Sequence, residues 1–172
     1  MSRNHLLIAS TQLVSTMVKM VKKPARERLE VFVKGLVQNS VKVGYFDDQG
    51  KHHSGMTYPT LMYLQEVHGV RSKDGLVRRQ AFGKTMQLSS GDILNKTHLS
   101  LLRSLRQLKN PDAALNTFGK EAQDAIKETF GNTALLKSNA PATIKKKGFN
   151  SPLIETTELR DRLTYRVGKR GK

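Results

Sequence analysis

Two stretches near opposite ends of the chain alternate apolar and polar side chains with the period of a strand. Val41, Val43 and Tyr45 alternate with Lys42 and Gly44, and Leu163, Tyr165 and Val167 alternate with Arg162, Thr164 and Arg166. Between them the apolar spacing is mostly helical. A chain with strands at about 41–46 and 162–168 and helices in between fits the α+β class, in which helices cover a small sheet.

The helical segments are marked by their punctuation. Leu13, Val14, Met17, Val18 and Val21 recur at helical spacing, and Leu29, Phe32, Val33 and Leu36 resume it after Pro24. Pro24 is expected in the first turn of the second segment, because inside a continuous helix it would cost about 3 kcal/mol. Residues 1–24 thus read as a basic arm or helical extension, 25–168 as one α+β domain and 169–172 as a basic tail. Asp47, Asp48, Gln49 and Gly50 mark a turn, followed by a hydrophilic loop to about Met56. Thr57 then suits the cap of a helix with Pro59 in its first turn, Leu61, Met62, Leu64 and Val67 inward, and Gly69 as its stop. Residues 70–83 read as an extended loop or an edge strand. Residues 98–109 read as an amphipathic helix with Leu101, Leu102, Leu105 and Leu108 on one face. A longer helix over 112–130 should bury Leu115, Phe118, Ala122, Ile126 and Phe130.

Composition narrows the function classes. At 172 residues the chain suits one domain, and without cysteine it has no disulfide or thiolate metal site. No apolar run approaches the roughly 18 residues needed to cross a bilayer, and polar residues break Leu6–Ser15 too early for a signal peptide, so a cytoplasmic setting is expected. The net charge of +16 points to a polyanionic neighbour, and the segments 1–36 and 137–172 hold twelve of those sixteen charges. Aromatic residues make up only 6%, which disfavours base stacking and leaves any nucleic-acid contact independent of sequence. Tyr45 and Tyr165 fall on the apolar side of their strands and read as packing residues.

Other chemical signals are weak. Gly83-Lys84-Thr85 lacks the earlier glycine of a phosphate loop, since Arg78 stands there. His52 and His53 adjoin and, on a strand, would face opposite ways, while His68 and His98 lie in separate helical patterns, so no metal or cofactor is expected. Asp47 and Asp48 with His53 lack a nucleophile and an orienting group, so no enzyme is expected.

The run Asn139–Val167 joins Thr143, Ile144, Lys147 and Gly148 to Pro152, Leu153, Ile154, Glu155, Thr156, Thr157, Glu158 and Leu159, and then to the strand. It resembles the neck and tail-completion proteins of long-tailed phages, also called virion morphogenesis proteins. Their signature is roughly Thr-Ile-x-x-Lys-Gly, Pro-Leu-x-Asp-Thr-Gly-x-Leu and a strand. Glu155 replaces the usual Asp and keeps its charge, and Thr157 replaces the usual Gly, so the turn need not take a positive φ there. A second match places Gly44 after Val43, Glu66 before Gly69, and Phe82 beyond, without the prolines that family members often carry ahead of that phenylalanine.

The resemblance implies an α+β domain with a small, mostly antiparallel sheet packed by helices. It further implies a homo-oligomeric ring of about six copies around the DNA channel, in the virion neck or tail end, assembled in the host cytoplasm. Head-closure or connector proteins, and tail-terminator or tail-tube proteins, would be its partners, with genomic double-stranded DNA in the channel and no membrane. From charge clustering, Lys145, Lys146, Lys147, Arg162 and Arg166 are the expected contacts to DNA or a neighbour. Gly44, Glu66, Gly69, Phe82, Pro152, Leu153, Thr156 and Leu159 are the residues the resemblance marks as structural. The alternative is a sequence-independent nucleic-acid-binding accessory protein.

Overall fold

A computed structural model describes residues 23–72, 75–107 and 110–171. The helical pattern expected over residues 13–21 lies outside them, as does Leu108. Helix α1 (Lys23–Gln38) runs directly into strand β1 (Asn39–Gly44), and a 3-10 turn at Asp47–Gln49 follows. Helix α2 (Tyr58–Tyr63) continues as a π-helical turn at Leu64–His68, and β2 (Val70–Ser72) pairs antiparallel with β3 (Gly75–Val77). Two long helices come next, α3 (Ala81–Arg106) and α4 (Asp112–Thr129), packed along one another. Short helices α5 (Pro141–Lys147) and α6 (Glu158–Arg162) precede β4 (Thr164–Lys169).

The architecture is α+β. β1 and β4 pair antiparallel, Asn39 opposite Lys169 and Val43 opposite Tyr165, so the two period-2 stretches close on each other across the mostly helical chain between Gly44 and Thr164. α4 covers this two-stranded sheet, and it comes close because it carries Gly119. A Cβ there would lie 2.2 Å from Cδ2 of Tyr165, so the tyrosine ring rests on helix backbone. The core gathers Tyr58, Met62, Ala81, Ile126, Phe130, Leu136, Leu159 and Leu163, with Val43, Tyr45, Phe82, Leu153 and Ile154 packed against it. Tyr45 donates its hydroxyl to the Leu159 carbonyl at 2.5 Å, and burial pushes its pKa far up.

Several boundaries differ from the sequence reading for identifiable reasons. The helix expected over 98–109 starts at Ala81, because the carboxylate of Glu66 caps it, accepting from the backbone N–H of Phe82 at 3.2 Å and of Gly83 at 2.8 Å. Its buried positions are Ala81, Thr85, Ile93 and Ser104, which carry little hydrophobic contrast, while Leu102 faces solvent. Val67 is exposed rather than inward. The π-helical turn, closed by Gly69 N–H to the Leu64 carbonyl at 2.6 Å, adds a residue and breaks the 3.6 period on which that expectation rested. In α4, Ala114, Gly119, Ala122 and Ile126 are buried, whereas Leu115 and Phe118 are half-buried.

Candidate functional site

The segments that carry the two resemblances meet on one side of the core. Glu66 caps α3 beside Phe82, and a Cβ on Gly44 would touch the Phe82 ring at 3.9 Å. Gly69 ends the π-turn with φ 81, and a side chain there would press Arg78 and Leu76 at 2.9 Å. Pro152 is buried and its carbonyl accepts from Gly131 N–H at 2.9 Å. Thr157 has φ −73, as the loss of glycine there allows, whereas the turn's left-handed residue is Leu153, at φ 63. For a leucine that conformation costs about 1 kcal/mol or more, offset here by its packing on the core. Thr156 is exposed, and its hydroxyl accepts weakly from Glu158 N–H at 3.4 Å.

Beside this turn lies an open cavity of about 540 Å³, lined among others by Leu61, Gln65, Arg79, Lys146, Lys147 and Leu159. Arg79 is a tie that the sequence reading missed. It donates to Gln65 Oε1 at 2.9 Å and to Asn139 Oδ1 at 3.0 Å, joining the π-turn to the start of the C-terminal run. Arg79 Nε and Asn139 Nδ2 are buried without a hydrogen-bond partner among the described residues.

The five expected contact cations do not share one environment. Lys145, Lys146 and Lys147 occupy the last turn of α5 rather than a loop, where they complement the helix dipole, and Gly148 closes the helix in the left-handed conformation. Lys145 and Lys146 are exposed, and neither has a hydrogen bond or ion pair among the described residues. Lys147 turns inward instead. Its ammonium donates to the carbonyls of Ser151 and Ile154 and lies 5.2 Å from the Phe149 ring centre, and burial lowers its pKa. It pins the Pro-Leu turn to α5, so the fold gives it a structural role of its own. Arg162 belongs to α6 rather than to the strand, and its guanidinium lies 5.8 Å from the Tyr58 ring. Arg166 donates from one guanidinium nitrogen, Nη2, to both carboxylate oxygens of Asp48 at 2.7 Å, and lies over the Phe46 ring at 4.0 Å. The hydrogen bond from Arg166 holds the Asp48 carboxyl below its ordinary value.

A second constellation forms where the loop after β1 meets α6. His52 and His53 lie in a tight turn, not a strand: Lys51 bridges Thr57, and Gly55 N–H reaches the His52 carbonyl at 2.8 Å. The turn brings both rings to the same side, 3.8 Å between centres, facing Glu158. His53 Nδ1 is 3.1 Å and His52 Nε2 3.8 Å from Glu158 Oε2, while Tyr58 donates its hydroxyl to Oε1. The bonds from Tyr58 and then His53 hold the Glu158 carboxyl low, and the same bond to Glu158 raises the Tyr58 phenol. No sequence signal marks this grouping, since Glu158 is a hundred residues from Tyr58.

No helix among the described residues is long and apolar enough to cross a membrane. No family model, curated protein or solved structure matches the chain.

Proposed function

We propose that this chain is a structural subunit of the neck or tail end of a long-tailed phage, assembling as a ring around the DNA channel and completing the junction between head and tail. The observation that carries the proposal is the ordered run from Thr143 to Leu159 followed by β4. Its residues are all used by the fold: Lys147 and Gly148 close α5, Pro152 and Leu153 form the turn, and Leu159 enters the core. The role is mechanical rather than catalytic. Head-closure or connector proteins on one side and tail-terminator or tail-tube proteins on the other are the partners it fits.

Charge supports the same reading. A ring of about six copies would concentrate the monomer's +16 at one junction, and that is tolerable only against DNA or acidic neighbours. Lys145 and Lys146 at the exposed end of α5 are the leading contacts, with Arg162 next. The test is electron microscopy of lysates from a phage lacking this gene, with wild-type or Lys145→Glu/Lys146→Glu copies supplied in trans. Separate heads and tails in the deletion, rejoined by the wild-type copy, are expected; intact particles in the deletion would refute the proposal.

A sequence-independent nucleic-acid-binding accessory role is the second reading, favoured by the exposed lysines of α5 and the sparse aromatics. Steeply salt-dependent affinity of the isolated monomer for duplex DNA would distinguish it, because a ring subunit depends on its neighbours for multivalent contact.

A further inference from the structure

We infer that His52, His53 and Glu158 form a divalent transition-metal site of the zinc class. Two imidazoles and a carboxylate are a common donor set for such ions, and this set leaves one tetrahedral position open. The ligand atoms lie within 4.8 Å of one another before any ion is present. A zinc ion with bonds of about 2.0 to 2.1 Å would place its tetrahedral ligand atoms about 3.3 Å apart. The observed separations from Glu158 Oε2, 3.1 Å to His53 and 3.8 Å to His52, bracket that value. Binding therefore asks the two imidazoles and the carboxylate to close from within 4.8 Å of one another to that spacing.

The surrounding groups are arranged as metal sites require. Tyr58, which is 1% exposed, donates to Glu158 Oε1, fixing the carboxylate and leaving Oε2 for the ion. His52 would bind through Nε2, which requires its proton on Nδ1, and Ser54 Oγ lies 2.9 Å from Nδ1 to accept it. Ser54 N–H also lies 3.2 Å from Nδ1, a contact suited to the opposite tautomer. Binding through Nε2 would select the tautomer with the proton on Nδ1, the one that uses the Ser54 hydroxyl. His53 binds through Nδ1 and is half exposed, which gives the ion a path from solvent. Once occupied, the site clamps the 50–57 loop onto the start of α6. Its fourth position takes water or a side chain from a neighbouring molecule.

The test uses the untagged full chain, stripped with chelator and titrated with zinc by calorimetry. One equivalent per chain is expected, with a higher melting temperature. Affinity should fall at least tenfold in His52→Ala, His53→Ala and Glu158→Gln, should weaken in Ser54→Ala, and should be unchanged in His68→Ala and His98→Ala. If the site variants fold poorly, histidine NMR of the wild-type chain answers the same question. Zinc should shift the His52 and His53 imidazoles selectively, with the His52 proton on Nδ1 in the bound form. Absence of binding at millimolar zinc, equal loss in the control variants, or shifts confined to other histidines would overturn the site. None of these readouts depends on a role in phage assembly.

Discussion

Gly119→Ala should destabilise the protein even though it replaces a helix-disfavouring residue. In the interior of a helix, alanine is better than glycine by about 1 kcal/mol. At Gly91, midway along α3, a new Cβ meets nothing within 4 Å, so Gly91→Ala should realise that gain and raise the melting temperature by about 2–4 °C for a chain of this size. At Gly119 the same Cβ would lie 2.2, 2.6 and 2.7 Å from three atoms of the Tyr165 ring, where carbon contacts prefer about 3.5–4.0 Å. The ring cannot simply step back. Tyr165 is in register with Val43 on β1, and its hydroxyl reaches Asn116 Oδ1 on α4 at 3.3 Å. Overpacking of this kind costs about 1–3 kcal/mol. Three ring atoms inside contact distance place it at the upper end, so the net loss should be about 2 kcal/mol and the melting temperature should fall by about 4–8 °C. Calorimetric melts of the two variants, and of Gly119→Ala in a Tyr165→Val background, make the check. In that background the alanine should become stabilising. An increase for Gly119→Ala equal to that for Gly91→Ala would refute the close approach of α4 to the sheet.

Glu66→Ala should cost about 1–2 kcal/mol by leaving the N–H groups of Phe82 and Gly83 uncapped, with Glu66→Gln intermediate; thermal melts that do not move would refute the capping role. Lys147→Met keeps the aliphatic stem but leaves the Ser151 and Ile154 carbonyls without their donor, so urea unfolding should show a loss of about 1.5–3 kcal/mol, against no more than about 0.5 for Lys145→Met. The Asp48 carboxyl has a depressed folded pKa, so its pair with Arg166 contributes stability above the ordinary value of 3.8, and that contribution is lost as pH falls through the folded value. The stability gap between wild type and Asp48→Asn should therefore be present at neutral pH and close in acid; a gap independent of pH would refute the pairing.

The legible parts of this fold were those where side-chain contrast is strong. The alternating stretches became β1 and β4, Phe32 of α1 is buried where the spacing puts it, and Thr57 caps α2 by accepting from Thr60 N–H. What escaped has weak contrast or long range. The buried face of α3 is built from alanine, threonine and serine as much as from isoleucine, so its first half carried no amphipathic signal. The outward turn of Val67 depends on a π-helical turn, and Glu66 as a cap is visible only once the hairpin β2–β3 has returned the chain to it. At the candidate sites the sequence singled out cations by charge alone, without the partners that Lys147 and Arg166 have in the fold. It also paired His52 and His53 with strand geometry, whereas the chain makes a tight turn.

The partners of the cations decide which experiment can speak to function. A net +16 invites the view that every lysine and arginine near the C-terminus serves a polyanion, but the fold already uses some of them. Arg166 is matched by Asp48, and Lys147 by two carbonyls. Replacing all of Lys145, Lys146 and Lys147 with glutamate would therefore mix loss of an interface with loss of the Pro-Leu turn, and a failure to join heads to tails would have two explanations. Lys145 and Lys146 carry no internal partner among the described residues, so changing only these two alters the field at the end of α5 and leaves the packing alone. A double glutamate variant that melts like wild type yet fails in assembly isolates charge as the cause. One that assembles normally transfers the positive face to Arg162 or to the N-terminal segment.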